Sequence, residues 1–228
     1  MFWLACFLQD IIDYLVKTAI DHQVDIQTDK MVTARDLHNE SADHIIIATG
    51  ATPLIPKIKG VDSNDRIYSI LDVLAGEKML PGKYLIVGGG AGGLELAEFL
   101  EGEGIDITVI EMTDQIGIGL HATRLDLLLR RIEVGRIRIL KNTRLVAIDG
   151  QNAQVKTPNG PKTLGPFEHV LFAIGYESDN RLADAIRPKQ SVTIIGDALK
   201  PRSIYEAIRE GFEASLNLEM QMDGTGPK

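Results

Sequence analysis

Residues 83–111 constrain the fold of this chain more than any other part of its sequence. An apolar run at 84–87 leads into a glycine-rich stretch, apolar residues then recur at helical spacing over 94–100, and a second apolar run follows at 107–110. Strand, glycine-rich turn, helix and strand within about 30 residues form the pattern of a βαβ unit. The pattern therefore predicts parallel strands in an α/β fold.

Three closely spaced glycines, Gly88, Gly90 and Gly93, lie between the first strand and the helix. In such a turn Gly88 permits the tight change of direction, Gly90 lets the backbone approach a pyrophosphate, and Gly93 allows close packing of helix and strand. The N-terminus of the helix adds unpaired N–H groups and a partial positive charge. We predict a dinucleotide-binding site here; the alternative is a glycine-rich turn that binds no ligand.

Glu111 directly follows the second strand. A carboxylate at this position accepts hydrogen bonds from both hydroxyl groups of an adenosine ribose, and its charge repels a 2′-phosphate. We therefore expect NADH to be preferred over NADPH. The alternative is an ordinary solvated charge at a strand end.

The composition excludes several classes of function. The 228 residues carry 24 Lys+Arg against 32 Asp+Glu, a net charge of -8, without a basic cluster, which argues against nucleic acid or an anionic membrane as a partner. The longest apolar runs fall well short of the roughly 20 residues that a membrane span needs. The length suggests one large or two small domains.

The chain has few residues for metal or redox chemistry. A single cysteine, Cys6, cannot form an internal disulfide, a Cys-x-x-Cys pair or an iron–sulfur cluster, so we expect a reducing, cytoplasmic location. The five histidines do not have the spacing of zinc ligands, and no metal site is predicted.

The segment that precedes the βαβ unit contains mixed helix and strand signals. The apolar residues 1–8 predict the start of a strand or helix, and the spacing from Asp10 onward predicts an amphipathic helix of about three turns. Residues 24–27 alternate as a short strand, and residues 33–43 are expected to be partly helical.

Two runs predict buried parallel strands, the β-branched run 44–48, which begins with His44, and the apolar run 170–174. Each run ends at an alanine-x-glycine turn, a faint internal repeat that hints at two related nucleotide-binding folds. The residues at these turns are Thr49 and Gly50 in the first, and Ala173 and Gly175 in the second.

The remaining signals lie in the second half of the chain. A small β meander is predicted from three short runs, 137–140, 143–148 and 153–157. A strand at 192–195 leads to Gly196 and Asp197, and a helix is expected to begin near Ser203. A carboxylate at the carboxyl end of a parallel strand lies where such sheets bind ligands.

In this order the motifs resemble the flavoproteins with two dinucleotide-binding domains, which have the FAD/NAD(P)-binding, pyridine nucleotide-disulfide oxidoreductase-like fold. They are most similar to the nucleotide-binding half of the 2,4-dienoyl-CoA reductase and trimethylamine dehydrogenase group of NADH:flavin oxidoreductases. The motifs that carry the resemblance are Ala48-Thr49-Gly50, Gly88-x-Gly90-x-x-Gly93-x-Glu95, Ala173-Ile174-Gly175 and Gly196-Asp197. The resemblance extends from about Asp10 to Leu216.

This resemblance implies an α/β fold with two Rossmann-like domains, in which the NADH domain is inserted into an incomplete flavin domain. Residues 1–77 and 191–228 would form a partial FAD-binding-like domain, and residues 78–190 the NAD(P)-binding domain. The implied reaction is hydride transfer from NADH to a flavin, for which no side chain needs to act as an acid or base.

The resemblance also implies roles for individual residues. Glu95 would lie near the nicotinamide end of NADH, whereas Gly88, Gly90, Gly93 and Glu111 keep the roles described above. Asp197 would accept a hydrogen bond from the ribityl chain of FAD, and the helix that begins near Ser203 would point its positive end toward the flavin ring. The other expected cofactor-binding residues are Thr49, Gly50, Ala173, Gly175 and Gly196.

Departures from the family limit the expected activity. Nothing before Asp10 resembles the strand, glycine-rich turn and helix that clamp the FAD pyrophosphate, so the chain reads as truncated at its N-terminus with an incomplete FAD site. The single cysteine excludes disulfide reduction and the iron–sulfur cluster of the group's catalytic barrel.

Three functional hypotheses follow. The first is an NADH-binding oxidoreductase component, the second a non-catalytic NAD- or ADP-binding module, and the third a remnant fragment without turnover. The expected partners are the dinucleotide itself and either a further flavoprotein chain or a second copy. The apolar residues 1–8 either cap a sheet that lost its first strand or pair with another chain.

Overall fold

The computed structural model of the protein describes residues 2–62, 64–74, 81–101, 105–135, 137–188 and 190–222. The helices are α1 Phe2–Asp21, α2 Ala34–Asn39, α3 Ile70–Leu74, α4 Ala91–Glu101, α5 Ala122–Val134, α6 Arg181–Ile186 and α7 Ile204–Met222, with a 3-10 turn at Gly196–Ala198. The strands are β1 Ile45–Ile47, β2 Ala51–Pro53, β3 Ile67–Ser69, β4 Lys83–Val87, β5 Asp106–Ile110, β6 Ile137–Leu140, β7 Arg144–Asp149, β8 Asn152–Thr157, β9 Gly160–Leu164, β10 His169–Phe172, β11 Tyr176–Ser178 and β12 Val192–Ile194.

A parallel sheet of five strands, in the order β3-β10-β4-β5-β6, is the largest element of the fold. The predicted βαβ unit is present in it as β4, α4 and β5, with Lys83 paired to Asp106 and Val87 to Ile110. Four consecutive side chains of β4 are buried. Burial on both faces is typical of a parallel strand covered on each side, and the expected Rossmann-like α/β fold is confirmed.

Two hydrophobic cores lie on opposite faces of this sheet. One core contains Ile86 of β4 together with Leu94 of α4 and Leu128 of α5. The other core contains Leu85 of β4 and Val155 of β8. β8 is the middle strand of an antiparallel sheet of order β7-β8-β9. Adjacent residues of one strand thus enter different cores, as the alternation of side chains along a strand requires.

A smaller parallel sheet pairs a strand from the first quarter of the chain with a strand from its last quarter. β1 pairs with β12, and Ile45 and Ile47 pack there with Ala183 and Ile186 of α6. The prediction that residues 44–48 form a parallel strand is confirmed. β2 and β11 form an antiparallel ribbon. Along the chain, β2 lies between β1 and β3, and β11 lies between β10 and β12, so each strand of the ribbon connects the two sheets. The division into an inserted and a split domain stays a prediction.

Three sequence-based predictions were wrong or incomplete. Residues 24–27 form no strand, and Val24 is 55% exposed. The run at 137–140 is β6, which pairs with β5 at the edge of the parallel sheet and does not belong to the meander. The meander is instead completed by β9, for which no prediction was made. A short alternating run carries no information about which strand it will pair with, because that choice depends on distant residues.

The N-terminal run 1–8 was expected to start a strand or a helix, and residues 2–8 form the first turns of α1. The side chains of this run lie outside the described part of the chain. Among the described helices, none combines the length and the apolar character needed to cross a lipid bilayer.

Candidate nucleotide-binding site

A cavity of about 750 Å³ opens at the carboxyl ends of β4, β5 and β10. Ligands of open α/β sheets bind at this edge, and the volume lies in the usual range for small-molecule sites. Five of the residues singled out in the sequence line it, namely Gly88, Gly90, Glu111, Ala173 and Gly175. The fold therefore brings the ends of three separate strands into one site.

The three glycines of the turn differ in what they allow. A Cβ atom on Gly88, whose φ is +112°, would lie 2.4 Å from the carbonyl oxygen of Ala173. A Cβ atom on Gly93 would lie 1.9 Å from the carbonyl oxygen of Gly88, so both positions exclude a side chain on packing grounds alone. A Cβ atom on Gly90 would meet no atom closer than the carbonyl oxygen of Ile118 at 3.5 Å. The protein itself tolerates a side chain at Gly90, and its absence keeps the cavity open.

The backbone N–H groups of this turn are divided between internal bonds and free donors. The N–H of Gly89 donates to Glu111, and the N–H of Ala91 donates to the carbonyl oxygen of Ile118, each at 2.9 Å. Within the described ranges, the N–H groups of Gly90 and Gly92 have no acceptor. Both residues line the cavity at the N-terminus of α4, where the helix dipole favours an anion.

The carboxylate of Glu111 is held by three hydrogen bonds. Its Oε2 accepts the N–H of Gly89, and its Oε1 accepts both the N–H and the hydroxyl of Thr113, all at 2.9 Å. Burial raises the pKa of Glu111, but the bonds from Gly89 and Thr113, with a smaller effect of the Met112 backbone, outweigh it and hold the pKa below its ordinary value of 4.5. Glu111 is therefore ionised at neutral pH, and Oε2 retains capacity for a further donor.

Glu95 lies away from the cavity lining in this arrangement. Its carboxylate is 3.9 Å from the guanidinium of Arg124 on α5, and 41% of its side chain is exposed. Its expected position near a nicotinamide stays a prediction.

Four of the residues expected to bind a cofactor do not line the cavity described above and lie near the smaller sheet: Thr49, Gly50, Gly196 and Asp197, of which Asp197 was expected to contact the flavin. The hydroxyl of Thr49 donates to the carbonyl oxygen of Asp179, and the N–H of Asp179 donates to the carbonyl oxygen of Gly50 at 3.0 Å. The carboxylate of Asp197 accepts the N–H of Arg202 at 3.1 Å. The hydroxyl of Ser178 in β11 donates to the carbonyl oxygen of Asp197 at 2.8 Å, which links the ribbon to the 3-10 turn.

Gly196 belongs to the same region, at the start of the 3-10 turn. Its N–H donates to the carboxylate of Glu210 on α7 at 2.7 Å, and its φ is +61°. The predicted helix from near Ser203 is confirmed as α7, which begins at Ile204.

Several residues of the cavity were not found from the sequence. Among them are Met112, Ile118, Thr143, Arg144 and Tyr176. Met112 adjoins Glu111 and was within reach of the motif argument. The others come from loops and strand ends that carry no motif, and only the tertiary fold places them in the site.

The sequence profile of pyridine nucleotide-disulphide oxidoreductases matches residues 7–198. The chain belongs to this family. Membership confirms the broader part of the resemblance, because proteins of this family bind FAD and NAD(H) through Rossmann-like domains.

Similar proteins include reductases. Cinnamate reductase of Clostridium sporogenes is 29% identical over 202 residues, which cover 87% of this chain and 30% of that protein. Metal reductase of Desulforamulus reducens is 28% identical over 237 residues, covering 89% and 35%. The solved structure of a 2-naphthoyl-CoA reductase in complex with 2-naphthoyl-CoA superimposes with a TM-score of 0.80 at 26% identity, covering 90% of this chain and 31% of that one. The chain thus spans about a third of the length of these relatives.

Proposed function

We propose that this chain is the NADH-binding component of an NADH:flavin oxidoreductase of the 2,4-dienoyl-CoA reductase and trimethylamine dehydrogenase group. One observation carries the proposal. The N–H groups of Gly90 and Gly92, which have no acceptor among the residues that the structure describes, and the ionised carboxylate of Glu111 line a single cavity at the carboxyl ends of the strands. Donors for a pyrophosphate and an acceptor for a ribose hydroxyl are the two polar features that a dinucleotide requires.

The residues present fit the nucleotide. Gly90 and Gly92 would bind the pyrophosphate, and Oε2 of Glu111 would accept a ribose hydroxyl. Gly88 and Gly93 would hold the turn in shape, while Ala173 and Gly175 would form the wall at the end of β10. When bound, NADH supplies a hydride and the flavin accepts it; the chain contributes binding and alignment.

Discrimination against NADPH is assigned to Glu111. A 2′-phosphate would place a second anion beside a carboxylate that is ionised at neutral pH and partly buried. Because charge repulsion is stronger away from bulk water, we propose that NADH binds more tightly than NADPH.

The flavin side of the proposal rests on the smaller sheet. Residues 1–77 and 191–228 would form the partial flavin domain, and Thr49, Gly50, Gly196 and Asp197 would lie toward a flavin. The binding site for the flavin would be completed by a further flavoprotein chain or by a second copy of this chain. The single cysteine fits a reducing, cytoplasmic location.

Titration of the purified chain with NADH and NADPH tests the nucleotide site. We expect Gly90→Ala to weaken NADH binding at least about tenfold, because the methyl group would occupy space that the protein leaves for the ligand. The matched control is Gly211→Ala on α7, where an added Cβ would meet nothing closer than 3.9 Å. A Gly90→Ala protein that is folded and binds NADH as well as the wild type would contradict the proposal, as would tighter binding of NADPH.

A second candidate is a non-catalytic NAD- or ADP-binding module. The contacts of Thr49 and Asp197, two residues proposed to lie toward a flavin, favour it. Thr49 and Asp197 already bond to other groups of the chain, and both lie outside the cavity lining. The visible absorbance spectrum separates the candidates. Bound flavin that bleaches on addition of NADH supports the oxidoreductase component, whereas a colourless protein that binds NADH supports the module.

A further inference from the structure

Thr113, in the loop after β5, supplies two of the three hydrogen bonds that hold the Glu111 carboxylate. Its N–H and its hydroxyl both lie 2.9 Å from Oε1, while Oε2 accepts the N–H of Gly89. Hydrogen bonds to a charged acceptor are about twice as strong as neutral ones. The carboxylate is therefore clamped between the glycine-rich turn and the loop that follows the neighbouring strand.

The hydroxyl of Thr113 has a second acceptor within reach, the carbonyl oxygen of Gln115 at 3.1 Å. One hydroxyl proton cannot fully serve both oxygens. The carboxylate is nearer and carries a charge, so it is the preferred acceptor. The N–H of Gln115 in turn donates to the Thr113 hydroxyl oxygen at 3.3 Å, which steadies that oxygen beside Glu111.

We propose that Thr113 is a positioning residue for nucleotide selectivity, because it keeps the Glu111 carboxylate from rotating away from the nucleotide. The inference rests on the proposed function, since it takes NADH to bind in this cavity. With Oε1 occupied twice, Oε2 keeps the remaining acceptor site for a ribose hydroxyl. A clamped carboxylate also cannot withdraw from a 2′-phosphate, so its repulsion is retained.

A glutamate without the clamp would behave differently. Its side chain has several rotatable bonds, and ordering it costs conformational entropy. Without the bonds from Thr113, the Glu111 side chain would be mobile before NADH binds, and NADH binding would have to order it. When NADPH binds, the same mobile carboxylate could turn away from the 2′-phosphate. Loss of the Thr113 hydroxyl should therefore weaken NADH binding more than NADPH binding.

The test uses Thr113→Val, which removes the hydroxyl but keeps the branched shape and the N–H, and Thr113→Ser, which restores the hydroxyl. Dissociation constants for NADH and NADPH are measured by calorimetric titration of the full chain. For Thr113→Val we expect the preference for NADH to fall about three- to tenfold, because one charge-assisted hydrogen bond is lost. We expect Thr113→Ser to recover the preference. Circular dichroism and the melting temperature establish that both variants are folded.

The pH dependence of NADH affinity gives a second readout. The other titratable side chains that line the cavity are Arg144 of β7 and Tyr176 of β11, and Asp114 adjoins Thr113 in the loop. No ion pair joins Glu111 to any of these within the described residues. Because the Thr113 bonds lower the pKa of Glu111, the acid limb of NADH binding should lie at higher pH in Thr113→Val than in the wild type.

Thr157 offers a matched control. Its hydroxyl donates to the carbonyl oxygen of Gly160 at 2.9 Å and accepts the N–H of Asn159 at 3.2 Å, a similar turn without a carboxylate. Thr157→Val should leave the preference and the acid limb unchanged. An unchanged preference and acid limb in a folded Thr113→Val protein would overturn the inference while the proposed function stands. If the wild type binds neither nucleotide, it is the proposed function that fails.

Discussion

The carbonyl oxygen of Gly88 occupies the space where Gly93 would carry a Cβ atom, at a distance of 1.9 Å from it. This contact joins the end of β4 to the first turn of α4. It sets the helix N-terminus directly beside the edge of the sheet where the cavity opens. The close packing therefore places the N–H groups of Gly90 and Gly92 in the site.

Replacement of Gly93 by alanine should destabilise the fold. The added methyl would meet backbone, which cannot rotate aside, and overpacking of this kind costs about 1 to 3 kcal/mol. Urea unfolding measures the loss. Gly211→Ala is the control, because its helix has room for the methyl and alanine is favoured over glycine there by about 0.5 to 1 kcal/mol. Equal stability of Gly93→Ala and the wild type would show that the turn relaxes more freely than this packing implies.

Addition of NADH should raise the thermal stability of the wild-type chain. At a free concentration about one hundred times the dissociation constant, binding to the folded state alone adds about 2.7 kcal/mol. For a chain of this size each kcal/mol raises the melting temperature by about 2 to 4 °C. NADPH at the same concentration should give a smaller shift, and Gly90→Ala, with affinity weakened about tenfold or more, should lose about half of the NADH shift or more. Scanning fluorimetry detects both, and equal shifts for the two nucleotides would argue against the role given to Glu111.

Glu98 should contribute to stability in a pH-dependent manner. Its carboxylate lies 2.7 Å from the guanidinium groups of both Arg124 and Arg131, which links α4 to α5. Burial raises the pKa of Glu98, but the bonds from the two arginines outweigh it and lower the pKa below 4.5. The stabilisation is therefore complete above about pH 4.5 and is lost as the pH falls through the lower folded-state pKa.

Substitution of Glu98 by glutamine should lower the free energy of unfolding at pH 7 by about 1 kcal/mol, the sum of two modest ion pairs. The effect should shrink toward pH 3. Glu213→Gln, which breaks the exposed pair with Arg209 at 3.3 Å, serves as the comparison and should change stability by less than about 0.5 kcal/mol. Chemical unfolding of the variants and the wild type at pH 7 and pH 3 measures these differences. A loss of unfolding free energy that is the same at both pH values would point to packing instead of charge.

His169 should make the fold less stable in mild acid. The ring lies 4.5 Å from that of Tyr84, and its Nδ1 has no hydrogen-bond partner among the described residues. Burial lowers the pKa of His169 below 6.5, against a smaller opposing effect of its hydrogen bond to the Pro81 backbone. The unfolded chain thus binds a proton first, so stability falls as the pH drops below about 6.5 toward the folded-state pKa.

Phenylalanine at this position should remove that part of the pH dependence. We expect the difference in unfolding free energy between pH 7.5 and pH 5.5 to be smaller for His169→Phe than for the wild type. If the wild type and His169→Phe lose the same stability over this range, the burial of His169 has no such effect.

Much of the larger sheet could be predicted from short stretches of sequence. The strand at 84–87, the glycine turn, the helix and the strand at 107–110 are consecutive, so their pairing follows from local periodicity and from the short connection between them. The packing roles of Gly88 and Gly93 were also predictable, because an added Cβ atom at either position would meet backbone. The same holds for the buried strand at 170–174, which ends near the cavity.

Other parts depended on long-range contacts. The run at 137–140 has the same alternation whether it joins a meander or a parallel sheet, and its pairing with β5 settled the choice. The helix α5 was not predicted, although its Leu128 is fully buried against the sheet. The clamp on Glu111 could not be foreseen either, since a threonine two residues after a glutamate is common in loops.

The sequence by itself determined the βαβ unit, its glycine-rich turn and the acidic residue at the end of the second strand, because each depends on backbone conformation and spacing within a short segment. Only the tertiary structure decided that three strand ends share one cavity, that Thr113 and Gly89 hold the Glu111 carboxylate, and that β12 pairs with β1. Those features depend on which distant segments come into contact, and that is determined by the packing of the two cores as a whole.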